Sequence, residues 1–172
     1  MSSNNAITKQ NLPTSSKSEE LGEFLTMKIG DQNFGISVIS IRDVLVVKEI
    51  TPVPLSPQEI IGLINLRGRV VTALDIRAIL KMPDRFDLEH SMSVVVDYKG
   101  DLYSLMVDSI GEVISFPVSK IIPTPENLPK SWKDVSMGIY PVENNLIVIV
   151  NIDKLLQGID ISTELSTEGE QK

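Results

Sequence analysis

Phe34-Gly35-Ile36-Ser37-Val38-Ile39-Ser40-Ile41-Arg42-Asp43-Val44-Leu45 returns 69 positions later, without a gap, as Tyr103-Ser104-Leu105-Met106-Val107-Asp108-Ser109-Ile110-Gly111-Glu112-Val113-Ile114. Aromatic, aliphatic, Ser, Ile and acidic positions coincide. Two more blocks follow in the same order. Ile50-Thr51-Pro52-Val53-Pro54 matches Ile121-Ile122-Pro123-Thr124-Pro125, and Gly62 to Leu80 matches Gly138 to Leu156. Collinear blocks separated by small insertions mark a duplicated unit. The first copy spans about residues 23–82 and the second about 91–158, an order compatible with strands exchanged between them. A core built from some 60 residues is marginal alone, so the two copies are expected to share a buried interface.

Composition assigns the unit to the β class. Val and Ile number 38 against 3 Ala among 172 residues. Branching at Cβ restricts χ1 and suits a pleated surface, whereas a helical bundle calls for more alanine. Short apolar runs such as Phe24 to Ile29, Arg69 to Leu74, Val94-Val95-Val96 and Leu146 to Val150 are separated by Gly, Asp and Asn, the pattern of a barrel or sandwich. Helical signals are brief. Ser56-Pro57-Gln58-Glu59 reads as a capping box, with Gly62 placed to stop the helix. Asp75 and Asn151 each follow a strand and sit where an N-cap belongs. Residues 1–20 hold 11 Ser, Thr, Asn or Gln and no aromatic. They and residues 159–172 are expected to be disordered tails. The longest aliphatic run, Leu146 to Val150, is far short of the about 20 residues of a membrane span, and no signal-peptide stretch opens the chain. The expected home is cytoplasmic.

Charge and residue types exclude much chemistry. A net charge of −7 and a pI near 4.7 argue against nucleic acid or an anionic membrane as partner. With only 8 aromatic residues, a ligand- or oligonucleotide-binding barrel is a poor second reading. There is no cysteine for thiol catalysis or thiolate metal sites, and His90 is the one histidine, in a polar linker. Gly30 to Ser37 has the glycine spacing of a phosphate loop, but Ile36 stands at its lysine position and a strand follows, so no cradle is expected. Trp132, in a polar loop, is read as covering a barrel end or anchoring a partner.

The two copies differ at one telling place. The hairpin Leu63 to Val70 should turn at Arg67-Gly68, and the matching pair in the second copy is Glu143-Asn144. Gly68 and Asn144 tolerate positive φ. On this reading only the second turn position is architectural, and the tip arginine is free for a partner.

Phe34-Gly35-Ile36, Ile41-Arg42-Asp43-Val44, Ile50 to Pro54, Gly62-Leu63-Ile64-Asn65-Leu66-Arg67-Gly68 and Leu74-Asp75-Ile76-Arg77 resemble the CheW family of chemotaxis coupling proteins. Val107 to Val113 and Val150 to Leu156 extend the likeness, which covers about Glu23 to Leu156. The resemblance implies two packed, five-stranded, SH3-like β-barrels with a few short helices in one domain, residues 21–158. It implies no enzymatic activity, no cofactor and no metal. The partners it implies are the cytoplasmic helical hairpin of a methyl-accepting chemoreceptor and the regulatory domain of a CheA-type histidine kinase, within membrane receptor arrays. The receptor-contacting arginine falls on Arg67, in the Asn65-Leu66-Arg67-Gly68 motif. The family's acidic position falls on Asp43, one methylene shorter than the usual Glu, with Ile41 and Val44 beside it. Asn65, Gly68, Asp43, Ile41 and Val44 are thus the candidate receptor face; kinase-contacting residues are not assigned. An array governing surface motility or gene expression is the alternative within the family.

Overall fold

A computed structural model describes residues 18–83 and 87–159. Most of the two expected tails lies outside the described residues. Ile159, which composition placed in a tail, is buried and belongs to the main core.

Among the described residues, ten strands form two five-stranded sheets. In chain order they are β1 (Leu21–Ile29), β2 (Gln32–Ser37), β3 (Ile41–Leu45), β4 (Ile60–Leu66), β5 (Arg69–Asp75), β6 (Met92–Tyr98), β7 (Asp101–Val107), β8 (Ser109–Pro117), β9 (Ser136–Val142) and β10 (Asn145–Val150). One sheet runs β8-β1-β2-β10-β9 and the other β3-β6-β7-β5-β4. The first two strands of each copy therefore join the last three of the other copy. The parallel seams that weld them are β2–β10, with Phe34 opposite Val148, and β5–β7, with Leu74 opposite Leu105.

Alternation of side chains explains the layers. Successive residues on a strand point to opposite faces. In β2, Phe34 and Ile36 face the other sheet while Gly35 points into its own; in β10, Val148 and Val150 alternate with Ile147 and Ile149 in the same way. The largest core lies between the sheets, where Met27, Ile29, Phe34 and Ile36 meet Val94, Val96, Leu105 and Val107. Smaller cores fill each sheet's own concavity: Val47, Ile64, Val71, Ala73 and Met106 in one, Phe24, Phe116, Ile147 and Ile149 in the other.

Neither sheet closes into a barrel by a continuous ladder. The two edges of each sheet meet instead at a closing seam spanned by a single antiparallel bridge, Thr51 to Leu63 in one and Ile122 to Ile139 in the other. Thr51 N donates to Leu63 O at 2.8 Å and Leu63 N to Thr51 O at 2.7 Å. In the second seam Phe116, on β8, stacks on Tyr140, on β9, with centroids 3.6 Å apart. The bridge dictates Gly62. A Cβ there would lie 2.3 Å from the Thr51 carbonyl oxygen, and at its repeat mate Gly138 it would lie 2.6 Å from that of Ile122. Gly62→Ala should therefore lower stability by about 2 kcal/mol in a denaturant melt, while Gly100→Ala, with open space around it, loses only what its positive φ exacts.

Among the described residues there are three short α-helices, α1 (Ile76–Ile79), α2 (Lys130–Val135) and α3 (Ile152–Gln157). The caps of α1 and α3 stand where expected, Asp75 accepting from Arg77 N at 2.9 Å and Asn151 from Lys154 N at 3.1 Å. The helix expected from the capping box at Ser56 is absent. The Ser56 hydroxyl donates to the Val53 and Ile60 carbonyls instead of accepting from a helical N–H, and Ile60 already opens β4. Gly62 thus serves the seam and ends no helix. Trp132, on α2, is structural. Its indole donates to Leu80 O at 3.2 Å and its ring sits edge-on to Phe34.

Candidate functional site

The β4–β5 hairpin pairs Leu66 with Arg69, which leaves Arg67-Gly68 as a two-residue turn. Both residues take positive φ, 52° and 82°, as a turn matched to strand twist requires. The first turn position is therefore architectural as well, contrary to the sequence reading. Lys99 and Glu143 occupy the same left-handed region, at 52° and 46°, so backbone strain does not single Arg67 out. Asn65 is the brace, its Oδ1 accepting from Gly68 N at 2.9 Å. Three letters of the Asn-Leu-Arg-Gly motif thus have local reasons. Asn65 holds the turn, Leu66 packs on the small core within this sheet, and Gly68 supplies the second positive φ.

The side chain of Arg67 answers to no local need. It is 84% exposed, yet its terminal nitrogen lies 3.3 Å from Asp43 Oδ2. Asp43 is 28% exposed and uses its other oxygen to accept from Val44 N at 2.8 Å. An ion pair this exposed contributes at most about 1 kcal/mol to stability. Its effect is geometric, fixing the arginine's direction from a strand 24 positions away in sequence.

β3 sets out the rest of the candidate face. Ile41 and Val44 pair with Val96 and Val94, whose side chains lie in the inter-sheet core, so both sit on the face of β3 that looks toward the other sheet, at its open edge. Ile41 is half-buried against that core, and Val44 is 38% exposed beside it. Arg42 turns the other way and pairs with Asp97 at 3.3 Å. The fold thus brings Asp43 of β3 to the hairpin that carries Asn65, Arg67 and Gly68, while Ile41 and Val44 lie on the opposite face of the same edge strand. Exposed Val46 and Val70 extend the apolar surface of the same two segments. Periodicity alone does not flag either, because both stand in runs that read as core.

Two residues of the matched motifs carry a role that sequence reading left unassigned. Arg77 donates through Nε and a terminal nitrogen to Asp108, at 3.1 and 2.5 Å, and Asp108 also accepts from Gly30 N at 2.7 Å. This carboxylate stands between β7 and β8, where the chain passes from one sheet to the other. His90 is exposed, with Nδ1 2.7 Å from Asp87. Among the described residues no cluster of His, Asp or Glu could hold a metal ion.

Residues 23–160 match the family model for the CheW-like domain. The chain is 29% identical over 140 residues to the chemotaxis protein CheW of Thermotoga maritima, covering 81% of this chain and 90% of that one. It is 26% identical to the CheW of Rhizobium meliloti, over 77% and 86% of the two chains. Protein FrzA of Myxococcus xanthus is 25% identical over 78% of this chain and 85% of its own length. The fold matches the crystal structure of the scaffolding protein TtCheW from Thermoanaerobacter tengcongensis with a TM-score of 0.72 at 24% identity, over 79% and 92% of the chains. A duplicated, strand-exchanged β domain whose motifs and length run in step with these relatives is a member of the CheW family.

Proposed function

We propose that the chain joins the cytoplasmic helical tip of a chemoreceptor to the regulatory domain of a CheA-type histidine kinase, with Arg67 and its neighbours as the receptor-contacting face. As a CheW-family member it is a chemotaxis coupling adaptor, and family membership supports a scaffold without catalytic activity. Among the described residues no helix is long and apolar enough to cross a membrane. Recruitment to the array would then come through the receptor.

The observation that carries the proposal is an arginine left 84% exposed at a braced hairpin tip while Asp43 holds its direction. A guanidinium fork presents several donors in one plane and suits carboxylates and carbonyls at the end of a helical hairpin. Orienting it before contact lowers the side-chain entropy lost on binding. Ile41 and Val44 offer the apolar surface that an amphipathic helix needs. Such an adaptor alters kinase output only by contacting the partner's conformational states unequally.

Arg67→Glu should weaken binding to a receptor cytoplasmic fragment at least tenfold, about 1.4 kcal/mol, with the thermal midpoint lowered by no more than the few degrees that losing the exposed pair with Asp43 costs. Arg67→Lys keeps the charge, loses the fork and should fall between. Equal capture by folded Arg67→Glu and wild type would remove Arg67 from the receptor face.

A further inference from the structure

A cleft of about 280 Å³ lies between the β1–β2 turn, the β9–β10 hairpin and the segment ahead of α2. Leu128, Leu146 and Val148 give it apolar walls, and Asp31, Asn33, Asn144 and Asn145 bring polar groups to the same space. Gln32 is already engaged there, donating through Nε2 to Leu146 O at 3.2 Å. The three asparagine side chains bond to no other described residue. Apolar walls with a few convergent hydrogen-bonding groups make up a small-molecule site, and this volume falls at the small end of such sites.

The duplication shows that the fold does not require the cleft. Pro54 and Gly62 are eight positions apart, whereas their mates Pro125 and Gly138 are thirteen apart. The extra residues fall in the stretch that supplies Leu128 and α2. Its charge is equally particular to the second copy. Where the first hairpin reads Arg67-Gly68-Arg69, the second reads Glu143-Asn144-Asn145, so two cations give way to an anion and an amide. Asp31 stands where the matching turn has Gly100. None of the lining residues is basic; Lys28, across the ladder from Asn33, is not among them. Lys130 and Lys133, on α2 nearby, pair with Asp134 and Glu126. A ligand in the cleft thus meets one carboxylate and several amide oxygens, all of which accept from a cationic donor, and no positive charge that would hold an anion.

We propose that this cleft binds a small organic cation, a primary alkylamine whose ammonium donates to Asp31 and the asparagine carbonyls while its methylenes lie on Leu128, Leu146 and Val148. The site stands on the sheet that does not carry Arg67 and is independent of the adaptor reading. The test titrates the nitrogen-15-labelled full chain, at pH 7 and about 0.15 M salt, with n-butylamine, n-butanol and butyrate, following the asparagine side-chain amides by NMR. Butylamine should shift the amides of Asn33, Asn144 and Asn145 saturably, butanol should do so more weakly, and butyrate should leave them in place. Asn145→Lys puts an ammonium into the cleft and should weaken butylamine binding at least about tenfold. Arg69 at the matching position shows that such a hairpin accepts a cation there, so the variant should fold. Asp31→Asn, at an exposed turn position, should weaken binding about threefold. A response to butylamine that does not saturate, an equal response to butyrate, or undiminished binding by either folded variant would overturn the inference.

Discussion

Phe34→Ala should lower stability by about 3–5 kcal/mol and melt both sheets in one transition. The ring is fully buried in the inter-sheet core, and it meets Trp132 edge-on at 5.4 Å. Truncation removes the apolar contact of an aromatic side chain and leaves a cavity whose walls come from β-strands that cannot easily collapse into it. The cooperativity follows from the pairing. β2, which carries Phe34, lies between β1 from its own copy and β10 from the other. Neither copy can unfold alone without stripping strands from both sheets. Trp132 is the single tryptophan and touches the mutated site, so its fluorescence reports the inter-sheet core while far-UV circular dichroism reports the strands. Coincident midpoints in wild type and variant are the expected result. Two separate transitions would show that the sheets are energetically independent. Val70→Ala, at a side chain 71% exposed, should change stability by less than about 0.5 kcal/mol and serves as the control.

How much of this was legible depended on whether the physics was local. The repeat was: Val44 and Val113 occupy matching edge strands, and Phe34 and Tyr103 enter the same central core, so equal sequence positions found equal environments. Helix caps at Asp75 and Asn151 were legible because a cap acts within three residues. The capping box at Ser56 misled for the complementary reason. Its pattern was right, but a strand starting at Ile60 claimed the residues a helix would have needed. Strand exchange depended on pairings such as Phe34 with Val148, which no neighbouring residue announces. The family motif pointed to the candidate site without its geometry. Asn65, Arg67 and Gly68 could be named, but not that Asn65 braces the turn or that Asp43 reaches the arginine from another strand. Gly62 shows the same limit, since its need arises from a carbonyl that approaches from Thr51.

Arg77→Ala should cost about 2–3 kcal/mol, more than any exposed ion pair in the molecule could. The guanidinium is 14% exposed and the Asp108 carboxylate 31%, so the pair is partly withdrawn from water and its loss strands a charge. Breaking a fully buried pair typically costs about 3–5 kcal/mol, and the solvent left around Asp108 reduces that. Position makes the loss global. Asp108 binds Arg77, which follows β5 of one sheet, and Gly30 N, in the β1–β2 turn of the other. Its repeat mate is Ile39, which is 88% exposed, so the duplication supplies no second clasp of this kind. Arg77→Lys should recover only part of the stability, because an ammonium cannot donate to both carboxylate oxygens in the fork geometry. Asp108→Asn should be milder, since its side-chain carbonyl can still accept from Gly30 N. In the double variant Arg77→Ala/Asp108→Asn, no unpaired carboxylate remains, so its destabilisation should fall short of the sum of the singles by about 1 kcal/mol or more. Additive losses in that cycle would mean that Arg77 acts through its other contacts, and that the crossover between the sheets is held without its pairing to Asp108.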